Sequence, residues 1–175
     1  DFSCFGDPAC VETCDNDVDD DGDGRIDCFD SDCTTATHCN GSGVNGGSCA
    51  APYVLDDLDP TGVWNGSLTA GRSEQTLSCE GTTSGREFVW TFQTYFSTPQ
   101  TYCFDTTGSA VDTVLAVRSA CSNPLSETAC VDDFASAGEK LTLVAEPSQI
   151  YYIFATGYNG AEGRLQFAIS YGACR

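Results

Sequence analysis

Residues 88–93 read Phe-Val-Trp-Thr-Phe-Gln, so large aromatic side chains occupy every second position. In an extended chain, successive side chains point to opposite faces, which places Phe88, Trp90 and Phe92 together on one face. Residues 150–155, Ile-Tyr-Tyr-Ile-Phe-Ala, alternate in the same way. A period of two in segments rich in aromatic and β-branched residues predicts a β-strand at each place.

The same kind of signal recurs along the C-terminal three quarters of the chain. Further strands are predicted in the segments 101–105, 112–118, 140–145, 164–171, 53–56 and 63–69. Turn-forming residues separate many of these segments, at 107–109, 122–124, 137–138 and 158–160. No segment shows helical periodicity over three turns. About eight short strands at this spacing predict a mainly β protein, a β-sandwich of jelly-roll type.

A change of composition divides the chain. Residues 41–48, Gly-Ser-Gly-Val-Asn-Gly-Gly-Ser, are rich in glycine and offer little that could pack, which is typical of a linker. The sequence therefore predicts a Cys-rich acidic calcium-binding module at 1–40, a linker at 41–48 and the β-sandwich domain at 49–175. The fold expected for the first part is a small loop module stabilised by disulfides and calcium.

The calcium prediction rests on the spacing of carboxylates in residues 19–30, Asp-Asp-Asp-Gly-Asp-Gly-Arg-Ile-Asp-Cys-Phe-Asp. Ca²⁺ takes six to eight oxygen ligands, and short carboxylates at alternate positions before a glycine let a tight loop supply them. In an EF-hand-type register, Gly24 forms the sharp turn and the oxygens at positions 1, 3, 5, 7, 9 and 12 come from Asp19, Asp21, Asp23, the Arg25 carbonyl, Asp27 and Asp30.

Two features set this loop apart from an EF-hand and from an acidic tail. Asp30 stands where an EF-hand carries a bidentate Glu, and no amphipathic helix flanks the loop, which argues against an EF-hand proper. A solvated acidic tail is the usual fate of a run of like charges, but here cysteines bracket the run. The neighbouring carboxylates Asp15, Asp17 and Asp32 are further candidate ligands, for a second ion or simply in contact with water.

The pattern Asp-x-Asp-x-Asp-Gly-x-x-Asp-x-x-Asp between cysteines resembles the thrombospondin type 3 calcium repeat and acidic Cys-rich motifs of secreted bacterial proteins. The resemblance covers about residues 14–33 and implies that the ion replaces a hydrophobic core. This stretch has only Val18, Ile26 and Phe29 to bury. Removal of the ion is therefore expected to unfold it.

A second resemblance covers the predicted sandwich. Residues 104–109, 112–118 and 151–158, together with the Asp132-Asp133 pair, resemble the bacterial pre-peptidase C-terminal domain. Domains of that family are appended to secreted enzymes and surface proteins. The resemblance implies a non-catalytic accessory, binding or structural role, although the added cysteines depart from the simplest members.

Twelve cysteines, an even number, indicate disulfides and an oxidising compartment, because abundant Asp and a single His make zinc a poor match. Six cysteines fall before residue 45 and six after it. This even split predicts that each part closes its own disulfides. Cys121 and Cys130 flank a predicted turn and are expected to staple it. The remaining four of the second part allow three connectivities, which the sequence leaves open: Cys49, Cys79, Cys103 and Cys174.

Five further side chains, in three groups, bear on function. Asp112, with Asp132 and Asp133, could meet at one end of the sandwich and hold a second calcium ion, or could cap a turn and end a strand. Trp64, beside a turn, is a candidate for an exposed sugar-stacking side chain. His38 is the single histidine and lies in the Cys-rich part, so a Ser/His/Asp or Cys/His site lacks support and no enzymatic activity is expected.

Charge and hydropathy limit the kinds of partner that the chain can bind. A formal net charge of −19 makes nucleic acid an improbable partner, and no apolar stretch is long enough to span a membrane. A chain that begins at Asp1 and contains no Met is what a secreted or cell-surface protein would leave after signal-peptide removal.

The function predicted from these features is that of a secreted non-catalytic calcium-binding structural or interaction protein. In its sharper form, the chain self-associates into an extracellular fibre, matrix or surface appendage, with Phe2 and Phe5 adding to a neighbouring subunit or to another surface partner. The alternative is an accessory module, for example one that binds carbohydrate, of a secreted hydrolase.

Overall fold

A computed structural model of the chain describes residues 47–49, 52–55, 60–133 and 138–175. The described residues all belong to one of two units into which the chain divides, Gly46–Arg175. The N-terminal module, most of the linker and the segment with Phe2 and Phe5 lie outside the described residues, so their structure stays a prediction.

The described part is built from nine strands joined by turns and short 3-10 segments. The strands are β1 Tyr53–Val54, β2 Gly62–Ser67, β3 Glu87–Gln93, β4 Gln100–Asp105, β5 Thr113–Arg118, β6 Glu127–Val131, β7 Lys140–Ala145, β8 Ile150–Gly157 and β9 Arg164–Tyr171. They form a five-stranded sheet in the order β1-β3-β8-β5-β6 and a four-stranded sheet in the order β2-β9-β4-β7. Apart from β1, this is the strand order of a jelly roll, which confirms the predicted fold class.

All of the predicted strands are present, and one strand escaped prediction. The missed strand is β6, Glu-Thr-Ala-Cys-Val, which has no fully buried position and pairs only with β5. An edge strand of this kind lacks the alternation of buried and exposed residues that the sequence argument relies on.

The main core lies between the two sheets and is aromatic. Phe88, Trp90 and Phe92 point inward from β3 as predicted, and all are at most 2% exposed. The Trp90 ring stacks on Phe167 of β9 with 4.1 Å between ring centroids. Offset stacking of this kind adds to the free energy of burial and joins the two sheets at their centre.

Trp64 belongs to the same core, and the prediction of an exposed sugar-stacking side chain is wrong for it. The ring is half-buried, with its centroid 5.8 Å from that of Phe167 and 6.4 Å from that of Trp90. The alternation of β2 turns this side chain inward, while the neighbouring Val63 and Asn65 are exposed.

A second, smaller apolar cluster lies on the other face of the five-stranded sheet. Its buried members are Leu77, Val89, Val114, Ala116, Cys121 and Phe154. Residues 68–86 connect β2 to β3 and begin with a 3-10 segment, Leu68–Ala70. This connection supplies Leu77 and so covers this face. Both faces of the five-stranded sheet are therefore packed.

The three disulfides of the described part join Cys49 to Cys121, Cys79 to Cys130 and Cys103 to Cys174. The six described cysteines thus close on one another, as predicted for the second part. Disulfides in this number are typical of proteins that fold in an oxidising compartment.

The predicted Cys121–Cys130 staple is wrong, and the register of β5 with β6 gives the reason. Arg118 lies opposite Glu127. Cys121 is three residues beyond Arg118 towards the turn, whereas Cys130 is three residues beyond Glu127 in the direction away from it. The register thus does not bring the two cysteines opposite each other, and each bonds to a partner distant in sequence, Cys121 to Cys49 and Cys130 to Cys79.

Candidate metal centre

Three carboxylates meet at one end of the sandwich. Asp112 directly precedes β5, Asp132 directly follows β6, and Glu139 directly precedes β7. One carboxylate oxygen from each lies within 4.8 Å of the others. Because β5 and β6 belong to one sheet and β7 to the other, this acidic cluster joins the two sheets.

Local hydrogen bonds fix the backbone of the cluster. Thr106, just after β4, donates its N–H to the Glu139 carbonyl at 2.8 Å and accepts the Glu139 N–H on its hydroxyl at 2.8 Å. The Thr106 hydroxyl also lies 2.7 Å from the Thr113 hydroxyl of β5. The Asp112 carbonyl accepts the N–H of Tyr158 at 3.0 Å. Each acidic residue is thus positioned by the ends of strands rather than by a free loop.

The side chains of the cluster carry unusual unsatisfied oxygens. Glu139 is only 1% exposed, and Asp112 and Asp132 are half-buried. One oxygen of each carboxylate is buried without a hydrogen-bond partner: Asp112 Oδ1, Asp132 Oδ1 and Glu139 Oε1. A buried polar atom without a partner costs about 1–3 kcal/mol, and a charged one costs more. A cation bound beside the three carboxylates would offset that cost.

The pKa values of two cluster carboxyl groups also favour a bound cation. Burial raises the pKa of Glu139, the backbone N–H of Asp133 partly opposes this, and the charges of Asp132, Asp133 and Asp112 raise it further. Burial, then the charges of Asp112 and Asp133, also raise the pKa of Asp132. Like charges at this distance disfavour joint ionisation unless a cation neutralises them.

No basic side chain supplies that neutralisation within the described ranges. The ion pairs found there are Arg86–Glu162, Arg118–Glu127 and Lys140–Asp105. Although Lys140 directly follows Glu139, its Nζ lies 3.5 Å from Asp105 Oδ2 and 2.8 Å from the carbonyl of Arg175. The cluster therefore keeps a local excess of negative charge.

The donor set fits a hard divalent cation. Carboxylate oxygens are the ligands that Ca²⁺ and Mg²⁺ prefer, and Ca²⁺ tolerates irregular geometry with oxygen distances of about 2.3–2.6 Å. Zinc prefers histidine or thiolate ligands, but the six described cysteines are all in disulfides. Three carboxylates drawn from separate strand ends therefore suit a hard divalent cation better than zinc.

Two of the three residues, Asp112 and Asp132, were predicted from the sequence, together with Asp133. In the structure Glu139 is the third member of the cluster, and the backbone N–H of Asp133 donates a hydrogen bond to Glu139. Glu139 escaped notice because it is separated from Asp132 in the sequence and precedes a strand without any motif. Its one signal is an acidic residue at a buried position directly before the regular alternation of β7.

The carboxylates predicted to bind calcium in the N-terminal module fall outside the described residues. They are Asp15, Asp17, Asp19, Asp21, Asp23, Arg25 through its carbonyl, Asp27, Asp30 and Asp32. Among the residues that are described, no helix has the length and apolar character needed to cross a bilayer.

Comparison with known proteins gives only distant likenesses. No family model and no curated protein matches the chain. Among solved structures, the pre-peptidase C-terminal domain of a collagenase from Bacillus anthracis is 13% identical, covering 72% of this chain and 95% of that one, with a TM-score of 0.43. PliG, a periplasmic inhibitor of g-type lysozyme from Aeromonas hydrophila, is 12% identical over 73% of this chain and 99% of its own, with a TM-score of 0.43. CorA, a surface-associated copper-binding protein of Methylomicrobium album BG8, is 8% identical over 73% of this chain and 100% of its own, with a TM-score of 0.41. The solved structures similar to this chain thus include a domain of the predicted pre-peptidase C-terminal kind, at a distance that says nothing about ligands.

Proposed function

We propose that this chain is a secreted, non-catalytic calcium-binding protein that acts as a structural or interaction module. The observation that carries the proposal is the acidic cluster of Asp112, Asp132 and Glu139, in which three buried carboxylate oxygens converge without a hydrogen-bond partner. A calcium ion held there would fasten the end of β6 and the start of β5 to the start of β7. It would thereby stabilise the strand ends of both sheets.

The acidic loop in the N-terminal module is the second part of the proposal. Asp19, Asp21, Asp23, Asp27 and Asp30, with the Arg25 carbonyl, would bind at least one further ion, and Asp15, Asp17 and Asp32 would complete or extend that site. The disulfides support secretion, because such bonds form and persist in oxidising compartments.

Calcium titration by calorimetry tests the cluster directly. We expect Asp132→Asn and Glu139→Gln each to bind one calcium ion fewer per chain than the wild type, because each variant removes a charged ligand. Glu146→Gln is the matched control, since Glu146 is an exposed glutamate just after β7 and outside the cluster. An unchanged ion count in both cluster variants would show that the carboxylates do not form a calcium site.

The same titration separates the two proposed sites. Asp21→Asn combined with Asp23→Asn should remove ions from the N-terminal loop and leave the ion of the acidic cluster in place. If this double variant and Glu139→Gln abolished the same binding event, the idea of two independent sites would be wrong.

Two forms of the interaction role are distinguished by the mass of the protein in solution. A self-assembling subunit of a fibre, matrix or surface appendage would give large species in light scattering with calcium present, and these would dissociate in a chelator. Deletion of residues 1–5 should also abolish these large species if Phe2 and Phe5 join subunits.

A monomer both in calcium and in chelator would favour the alternative, an accessory module of a secreted hydrolase. Retention on a glycan array would then reveal a carbohydrate ligand.

A further inference from the structure

Away from the acidic cluster, the connection between β2 and β3 lies over the second apolar cluster and covers two buried ionisable side chains. Residues 72–78 of this connection are called the covering limb below. Gly71, just before the limb, approaches β3 so closely that a Cβ atom would lie 2.8 Å from the Glu87 carbonyl oxygen. Cys79, just after the limb, is bonded to Cys130 of β6. Between these two fixed points Leu77 packs into the apolar cluster and is 3% exposed.

Glu87, the first residue of β3, holds the covering limb by its backbone N–H groups. Glu87 Oε1 accepts hydrogen bonds from the N–H of Glu74 and the N–H of Gln75, both at 2.9 Å. The side chain is 2% exposed, and its other oxygen, Oε2, is buried without a partner. Since both hydrogen bonds use Oε1, Oε2 is free to carry a proton without either bond being lost.

Arg118, the last residue of β5, holds the same limb by donating hydrogen bonds to its oxygen atoms. Its Nη2 donates to the Thr76 carbonyl at 2.5 Å, and its Nη1 donates to Gln75 Oε1 at 3.0 Å. Its charge is compensated by Glu127 at 3.3 Å. The limb thus depends on two buried ionisable groups, but only the carboxyl of Glu87 can lose its charge near neutral pH.

We propose that Glu87 is a proton-operated clasp: its neutral carboxyl group is stable beneath the closed covering limb, whereas the ionised carboxylate, with Oε2 buried and without a partner, favours an open limb that lets water reach it and uncovers the apolar cluster. Ionisation strengthens the two N–H bonds to Oε1, but the cost of burying the charge outweighs that gain. The device is separate from the calcium sites and from the proposed interaction role. It confines the motion to residues 72–78, because the Gly71 approach and the Cys79–Cys130 disulfide hold the two ends.

The electrostatic surroundings of Glu87 support this assignment. Burial raises the pKa of Glu87 from 4.5 to about 7 against the effect of the backbone N–H groups, and the charge of Glu74 adds to the rise. On β8 the residue opposite Glu87 is Thr156, an uncharged residue whose buried hydroxyl lacks a partner. On the limb side, Arg72 forms an isolated antiparallel bridge with Glu87 through backbone hydrogen bonds, and Arg72 is exposed to solvent. The neighbouring Arg86 donates hydrogen bonds to the carbonyls of Thr69 and Gly71 and pairs with Glu162 rather than with Glu87.

The sign of the pH effect follows from the raised pKa. A carboxyl group that holds its proton more tightly in the closed state stabilises that state fully below the pKa of the open state, here the ordinary 4.5. That stabilisation is lost as the pH rises through about 7, where the closed-state group ionises. With these two values, the equilibrium constant for opening increases about tenfold between pH 6 and pH 8.

Hydrogen exchange at the amides of Glu74 and Gln75 tests the clasp on the full chain. After correction for the intrinsic exchange rate, we expect opening in the wild type to increase about tenfold from pH 6 to pH 8. Glu87→Gln, which mimics the protonated acid, should remove this dependence, and the exposed-glutamate variant Glu146→Gln should retain it. Equal pH dependence in the wild type and in Glu87→Gln would overturn the proposal.

A second measurement needs no variant and applies even if Glu87→Gln does not fold. The carboxyl ¹³C chemical shift of Glu87 in the wild type should titrate near neutral pH, together with the exchange of the two amides. A carboxyl group that titrates in the ordinary range near 4.5, or exchange that does not follow its titration, would also overturn the proposal.

Discussion

Replacement of Arg118 with Met should lower the free energy of unfolding by about 3–5 kcal/mol, the usual cost of breaking a buried ion pair by removing one partner. The Arg118 guanidinium is fully buried, and the side chain of Glu127 is 8% exposed. The substitution leaves Glu127 without its counter-ion and leaves the Thr76 carbonyl and the Cys121 carbonyl without the donor that now reaches them. It also removes the guanidinium from the Phe154 ring, 4.9 Å away.

Urea unfolding followed by tryptophan fluorescence measures this loss in the sandwich alone. Trp64 and Trp90 are the only two tryptophans of the chain, and both lie in the aromatic core. The control is Arg86→Met, which breaks an ion pair whose side chains are about half exposed and should cost less than about 1 kcal/mol. Similar losses in the two variants would show that Arg118 does not hold the covering limb.

A double variant separates the loss of the ion pair from the loss of hydrogen bonds. Adding Glu127→Leu to Arg118→Met removes the uncompensated charge, so part of the stability should return. The remaining deficit then measures the limb contacts of Arg118 together with the Ser78 N–H bond that Glu127 Oε1 accepts. If the double variant were less stable than Arg118→Met, the Glu127 charge would not be the source of the cost.

The fold was predictable because its strands are rich in aromatic and branched residues and some of them, such as β7 and β9, bury alternate residues. β3, β8 and β7 combine aromatic or branched residues with a period of two, and this period comes directly from the geometry of an extended chain. The edge strand β6 has neither feature and was missed. Strand order and register depend on pairings between distant segments, and a single sequence does not encode them locally.

The site was predictable only in part, for a related reason. Asp112 stands out as an acidic residue at the start of a predicted strand and Asp132 as one of an acidic pair, but Glu139 joins them only because β7 of the other sheet starts at the same end of the sandwich. The disulfides show the same limit, since Cys121 and Cys130 are near in sequence while the register of β5 with β6 carries them apart. Proximity along the chain was a poor guide wherever two sheets or a shifted register decided the contact.

Calcium should change the rank order of stability between the wild type and Glu139→Gln. Without the ion, three carboxylates with unsatisfied oxygens repel one another in the acidic cluster, so removal of the most buried charge should stabilise the sandwich by about 1 kcal/mol. With calcium at about 100 times its dissociation constant, the wild type should gain about 2.7 kcal/mol, whereas the variant should gain much less. The variant is then the more stable protein in a chelator and the less stable one in calcium.

Tryptophan fluorescence again provides the measurement, because it reports on the sandwich and is insensitive to a separate transition in the N-terminal module. Unfolding curves in calcium and in chelator, for the wild type, Glu139→Gln and the control Glu146→Gln, give the calcium gain of each protein. The control should gain as much as the wild type, since Glu146 lies outside the cluster. An equal calcium gain in Glu139→Gln would mean that the ions bound by this chain stabilise it elsewhere, whereas a reversed rank order would tie calcium binding at the strand ends to the stability of both sheets.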